Sequence, residues 1–489
     1  MAPGMGRQVV TGDTRSFFGQ PRVLANLFGV ELWERFSFYG MQGILLIYLY
    51  YSVRDGGLGI DQHTATSIVG AYGGSVYLAT ILGAWVADRL VAPERVLFGS
   101  AVVVMAGHVA LALLPGIGGV ATGLALVAIG SGGLKATATS LVGSLYTPDD
   151  PRRDAGFALF YLGVNVGALA GPLATGLLQQ RLGFHYGFGL AAIGMAAGLT
   201  QYAFGRRRLA GTARQVPDPL PRSRLPFVAA GAVAVAAVAV AVVVTGILPA
   251  ARLATAVVVL SAAAAVTSFV VILTGRAVTG AERRRMVAFI PMFLASAVFW
   301  SLYQQQFTVV TIYSDQRLDR RVLGWEMPVS WVQSINPVFV ILLSGVFAAL
   351  WTRLGDRQPS TPVKFTAGTV LMGIAFLLFL PLAGGGPHSA PLLALAGILL
   401  VFTVAELLLS PVGLALATKV APAAFRTQTV ALFFLSVALG TAMSGVLARH
   451  YSSDHETVYF GVLGTVAIAF GGVLAALTPL IRRLMGGVR

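Results

Sequence analysis

The chain contains no cysteine, which excludes disulfide staples, thiolate nucleophiles and cysteine-ligated metal centres. Charge is scarce too: Asp, Glu, Lys and Arg make up 11% of the 489 residues, against about 25% in a soluble domain. Six histidines are scattered, and none pairs at metal-ligand spacing. Neither a nucleophile elbow nor a zinc-helix motif occurs. These absences point away from an enzyme, from a bound metal and from any cofactor.

What remains is apolar length. Apolar residues account for 56% of the chain, and the mean hydropathy is +0.79. Stretches near the roughly 20 residues needed to cross a bilayer recur from end to end. Backbone groups in lipid must be satisfied within the segment, so these stretches read as helices. The ten-residue alternation of a membrane barrel is missing. The expected class is an all-α polytopic membrane protein with about fourteen spans.

The formal net charge of +15 could suggest a nucleic-acid partner, but its placement argues otherwise. With both termini on the cytoplasmic side, 25 of the 34 Lys and Arg residues fall on that side and 7 on the other. Arg35 and Lys135 lie inside spans. This is the positive-inside pattern, expected for a multi-pass protein of the cell (cytoplasmic) membrane. Anionic lipid, not nucleic acid, is the partner it implies. Residues 1–19 are polar and lack the apolar core of a cleavable signal, so the first helix is expected to serve as its own insertion signal.

Composition divides the chain. Six spans are expected over 21–205, then a linker at 206–224 carrying six arginines and three prolines, read as a solvated cytoplasmic segment. Two Ala/Val-rich spans without internal charge fill 225–274. A second basic linker follows at 275–285 and six spans at 286–482, the first of them read as one helix from Met286 to Ser314. A faint repeat links the halves: Gly83 to Asp88-Arg89 is echoed by Gly355-Asp356-Arg357. Two related six-helix bundles with a site between them near the midplane would leave such an echo.

Ionisable residues inside spans are costly and functional by default. Glu31 and Arg35, one helical turn apart, share a face, with Glu34 beside them. Two carboxylates on one guanidinium leave a negative charge that Lys135 of the fourth helix could balance. A carboxyl whose protonation breaks an ion pair is the device a proton-coupled carrier needs. Glu406 has no local partner among Leu407, Leu408 and Leu409, so a cation in the other half is expected. Lys135–Glu406 is then a candidate gate between bundles. His108 is read as hydrogen-bonded within its helix packing, and the charged run from Asp315 to Glu326 as a solvated loop.

Glu31-Leu-Trp-Glu34-Arg35-Phe36-Ser-Phe38-Tyr39-Gly40 closely resembles the E-x-x-E-R-F-x-Y-Y motif of the proton-dependent oligopeptide transporters, a branch of the major facilitator superfamily. Phe17 to Pro21, Gly130 to Lys135, Phe160 to Gly167, Phe299-Trp300, Asn336-Pro337 and Glu406 to Gly413 match in order. The resemblance implies the major facilitator fold, two six-helix bundles with two extra helices between them. It also implies proton-coupled import of di- and tripeptides by alternating access, with protons as coupling ion, and the chain is expected to be monomeric. On this resemblance Glu31, Glu34, Arg35 and Glu406 form the proton-linked set. Arg35 and Lys135 would face the peptide carboxylate and Glu406 its amino terminus. Tyr39, Tyr77, Tyr161, Asn165, Asn336, Trp300, Gln304 and Phe433 would line the pocket.

The chain departs from the family pattern at four positions. Phe38 replaces the first tyrosine of the motif, and Phe433 stands where tryptophan is frequent. Gln304 stands where many members carry an acid, and Gln42 where some carry its arginine partner. Both charges are missing together, which implies a neutral outer gate at Gln42 and Gln304. Other readings are a relative that carries nitrate or a peptide-like drug, and a peptide-sensing receptor that no longer transports. Retention of Glu31 and Glu34 argues against an anion carrier.

Overall fold

The computed structural model describes residues 17–147, 150–209 and 211–486; most of the polar N-terminal segment, 1–16, lies outside them. Six helices come first: α1 (Arg22–Tyr50), α2 (Gln62–Arg89), α3 (Pro93–Leu113), α4 (Gly116–Gly143), α5 (Arg153–Leu182) and α6 (Phe184–Gly205). Next are α7 (Leu225–Thr245) and α8 (Leu253–Thr274). The rest are α9 (Gly280–Tyr303), α10 (Val309–Gln316), α11 (Ile335–Leu354), α12 (Thr361–Leu377), α13 (Leu392–Val420), α14 (Arg426–Ala448) and α15 (Glu456–Met485). Among the described residues, 11 helical segments are long and apolar enough to cross a membrane. The helices α1, α6 and α7 fall outside that count although they run 29, 22 and 21 residues. Glu31, Glu34 and Arg35 lower the hydropathy of α1.

Local chemistry sets the helix ends. The Asp61 carboxylate accepts from the Thr64 amide and caps α2, and Pro93 opens α3 where no amide donor is needed. A reciprocal Thr279–Glu282 capping box starts α9. Residues 280–285, expected as linker, are therefore the first turns of that helix. The single helix expected from Met286 to Ser314 is broken: a 3-10 turn spans Gln304–Phe307, and Thr308 leaves helical geometry before α10 begins. The Thr311 hydroxyl satisfies one freed backbone group by donating to the Gln306 carbonyl, and Tyr459 holds the neighbouring side chain by donating to Gln305 Oε1. Non-helical backbone at membrane depth is tolerated where protein surrounds it in this way.

Small residues fix the closest packing. Helices α1 and α5 lie so near that a Cβ on Gly167 or Gly171 would come within 2.3 Å of the Leu32 or Phe36 carbonyl oxygen. Gly163, Gly167 and Gly171 repeat every fourth residue, which places them on one stripe of α5. The two bundles meet through α2 and α14, where Gly70 faces Gly445. Against that seam lies α8: the Ser67 hydroxyl accepts from the Ala254 amide, and Arg449 donates to the Ala251 carbonyl and the Thr255 hydroxyl. The neighbouring α7 leaves Val233, Val235 and Val238 exposed.

Two segments expected to be solvated are folded instead. The 206–224 linker buries Leu209 and Ala213, and its Asp218 and Leu220 amides bond the Asp88 and Arg89 carbonyls. In the Asp315–Glu326 loop, β2 (Arg321–Val322) and β3 (Trp325–Glu326) form a hairpin whose two turn residues, Leu323 and Gly324, both have positive φ. Its neighbour β1 (Leu318–Asp319) pairs with β4 (Ala390–Pro391). Arg320 is buried and donates to the Met327 carbonyl, and Arg317 is tied to Glu456 and to the Gly385 and Ser453 carbonyls. Partners from other parts of the chain, Glu456 above all, take the place of water at these arginines. His108 also differs from expectation: it is fully buried, and neither ring nitrogen has a hydrogen-bond partner among the described residues.

Candidate functional site

One turn of α1 carries the charge cluster. Arg35 Nε donates to Glu31 Oε1 at 2.7 Å and lies 3.2 Å from Glu34 Oε2. Helix periodicity makes the first contact, because residues four apart stack on one face. Ser131 of α4 donates to Glu34 Oε1 at 2.9 Å, tying the second carboxylate to a neighbouring helix. All three charged side chains are buried. Glu31 Oε2 has no hydrogen-bond partner among the described residues.

Lys135 approaches this cluster without pairing with it. Its Nζ stands 4.8 Å from the ring centres of both Phe38 and Tyr77, a cation held between two aromatic faces. No ion pair joins it to a carboxylate among the described residues, and none links it to Glu406 in this conformation. The phenylalanine that replaces the first motif tyrosine therefore has a role in the fold: it is one wall of the lysine's seat.

In the second bundle, Glu406 of α13 is satisfied by neutral donors from its own half rather than by the expected cation. The Tyr303 hydroxyl lies 2.8 Å from Glu406 Oε2, and Asn336 Nδ2 lies 3.3 Å from the same oxygen. Asn336 Nδ2 also donates to Thr403 Oγ1, one turn before Glu406, and its Oδ1 is 3.2 Å from the Tyr303 hydroxyl. Three helices, α9, α11 and α13, thus converge on one carboxylate. Tyr303 and Thr403 were not among the residues singled out from sequence; the signal available was a hydroxyl-bearing side chain inside an apolar span.

Between the two clusters lie tyrosines. Tyr39, Tyr77 and Tyr161 are all close enough to Glu406 for its charge to act on them, although they belong to the other bundle. Gln42 and Gln304 line one small cleft with Tyr39, Tyr77, Thr308 and Thr441, so the two neutral replacements share a wall. The remaining residues sit less centrally. Asn165 bonds its own helix at the Tyr161 carbonyl, Trp300 is buried beside Tyr303, and Phe433 packs onto Gly413 of α13.

One face of the molecule is closed, the one at which α1 ends. Tyr50 and Tyr51 donate to the two oxygens of Asp315 at 2.7 and 2.6 Å. Burial and the Asp315 charge push the Tyr51 phenol above its ordinary pKa, so it stays a donor at neutral pH. Ser330, Trp331 and Ser334 donate across to the Pro172, Leu173 and Leu169 carbonyls of α5, and Gln180 to that of Glu326. Away from that face, in the first half of α5, Tyr161 is 44% exposed.

Buried charge of opposite sign on two helical bundles, with tyrosines between and one face sealed, is the arrangement of a membrane transporter of the alternating-access class. The POT family profile matches residues 94–466. An uncharacterized transporter, YclF of Bacillus subtilis (strain 168), is 41% identical over 97% of both chains. A di-/tripeptide transporter of Lactococcus lactis subsp. cremoris is 38% identical over 97% of this chain and 98% of its own. A crystal structure of a peptide transporter POT in complex with sulfate superposes with a TM-score of 0.92 at 41% identity, covering 97% of each chain. The chain belongs to the POT family of transporters.

Proposed function

We propose that this transporter imports di- and tripeptides across the cytoplasmic membrane, driven by the inward proton gradient. The observation that carries the reading is the separation of charge: Arg35 and Lys135 on one bundle, Glu406 on the other, with Tyr39, Tyr77 and Tyr161 between them. A peptide of any sequence has a carboxylate at one end and an ammonium at the other. Its carboxylate would meet Arg35 and Lys135, and its ammonium would meet Glu406. Space between the ends, lined by aromatic rings, tolerates different side chains. The names of the Lactococcus relative and of the solved structure support this substrate class.

Proton coupling rests on the α1 cluster. Two buried carboxylates sharing one guanidinium carry an uncompensated charge, which is costly away from water. A proton on Glu31 or Glu34 removes that charge and frees Arg35 to bind the peptide carboxylate. Loss of the proton restores the Arg35 pair and releases the peptide. Gln304 cannot titrate, so coupling runs through Glu31, Glu34 and Glu406. With both termini cytoplasmic, the sealed face is the outer one and the present conformation faces inward. Lys135–Glu406 would then pair in the opposite conformation, and a single chain would suffice for the cycle.

The test is uptake of a labelled dipeptide into proteoliposomes, with and without an inward proton gradient. Gradient-stimulated uptake is expected, abolished by Glu31→Gln and weakened in affinity by Lys135→Ala and Glu406→Gln. No dipeptide uptake would refute the substrate assignment, and equal uptake without a gradient would refute coupling.

A further inference from the structure

Beyond the peptide pathway, a groove lies between the C-terminal end of α2 and the start of α7, lined by Trp85, Arg89, Leu220, Arg224, Phe227 and Val228. We propose that this groove binds an anionic phospholipid of the surrounding bilayer, with its phosphate on Arg224 and Arg89 and its acyl chains along Trp85, Phe227 and α7.

The linker builds the polar end. Hydrogen bonds from the Asp218 and Leu220 amides to the Asp88 and Arg89 carbonyls pin the chain to the end of α2. Arg222 and Arg224 follow within four residues and are held at that helix end. Arg89 Nη1 pairs with Asp218 Oδ2 at 3.0 Å and still leaves its side chain 40% exposed. Arg224 is exposed and has no ion-pair partner among the described residues. Counting Asp88, Arg89, Asp218, Arg222 and Arg224, the groove mouth keeps one positive charge unbalanced. A phosphodiester supplies the missing negative charge and accepts from guanidinium donors.

The apolar end has the complementary shape. Phe227 is 77% exposed and Trp85 39%, and both stand beside arginines at a helix end, where a membrane protein meets the headgroup layer. Below them, exposed Val233, Val235 and Val238 continue an apolar surface along α7. A basic pocket between helices at the surface of the bilayer, opening on an apolar flank, matches an anionic lipid better than a free anion.

The test is native mass spectrometry of the full-length protein in neutral detergent, titrated with phosphatidylglycerol, phosphatidylcholine or inorganic phosphate. Tryptophan quenching by brominated lipid, with Trp85→Phe as reference, reports where the lipid sits. Preferential phosphatidylglycerol adducts are expected, with quenching assigned to Trp85. Arg224→Gln should weaken that binding about fivefold, the worth of one basic residue at an anionic surface. Equal binding of both lipids would overturn the proposal, as would unchanged binding by Arg224→Gln. Inorganic phosphate binding as well as the lipid would point to a bare anion site, and a second copy of this chain in place of lipid adducts would assign the groove to a dimer contact; either outcome overturns it.

Discussion

The Tyr303 hydroxyl lies 2.8 Å from Glu406 Oε2, joining α9 to α13 in the middle of the second bundle. Tyr303 is the last residue of α9 before the chain leaves α-helical geometry at Gln304. The donor that sets the Glu406 carboxylate is therefore mounted on the end of a broken helix. Any movement of that break changes what Glu406 can accept.

Tyr303→Phe removes this donor and leaves Asn336 as the remaining donor to Glu406 among the described residues. A hydrogen bond to a charged group contributes about 1.5–3 kcal/mol. Apparent dipeptide affinity is expected to change by roughly tenfold or more, with the protein still folded. A KM in proteoliposomes equal to that of the wild type would contradict a role for Tyr303 in placing the carboxylate.

Ser131→Ala leaves Glu34 without its donor from α4. If Glu34 shares the coupling proton, gradient-driven uptake should slow and its pH profile should move, while peptide counterflow without a gradient persists. Parallel losses in both assays would instead assign Ser131 to packing alone.

The Tyr50 and Tyr51 bonds to Asp315 hold the sealed face, and Asp315→Ala removes the acceptor of both. Because the chain has no cysteine, a single Thr441→Cys in the Gln42–Gln304 cleft can be labelled on a clean background. Membrane-impermeant maleimide added at the face where α1 ends should react severalfold faster in the Asp315→Ala variant. An unchanged rate would mean that the contacts to α5 suffice to keep this face closed.

Gly171→Ala tests the α1–α5 contact, since its Cβ would come 2.3 Å from the Phe36 carbonyl oxygen. Overpacking of this kind costs about 1–3 kcal/mol. A lower thermal unfolding temperature is expected, with Gly118→Ala as a control because that glycine has open space around it. Equal melting of the two variants would rule out close packing at Gly171.

Much of this protein was legible along the chain. Apolar runs near bilayer length dictate helices because lipid offers the backbone no alternative partner, and the Glu31–Arg35 pair follows from a four-residue separation on one helix. The break at Gln304–Thr308 was not legible: apolar residues flank Gln304, Gln305 and Gln306 on both sides over the length of a single span, and the hydroxyl that holds the Gln305 side chain, that of Tyr459, comes from α15. The arginines of the 206–224 and 315–326 segments read as solvated for the same reason. Glu94, the partner of Arg206, and Glu456, the partner of Arg317, lie on other elements, and Asp218 of the linker pairs with Arg89 of α2.

By itself the sequence determined that the chain is an all-helical membrane protein and which few ionisable groups lie inside it, since span length and the cost of burying charge are local properties. Only the tertiary structure decided how those charges are satisfied. It gave Glu406 the neutral donors Tyr303 and Asn336, seated Lys135 between Phe38 and Tyr77, and closed one face through Asp315. Each of these depends on which helices pack together, and close backbone approach through small residues, not the spacing of charges along the chain, selects those neighbours.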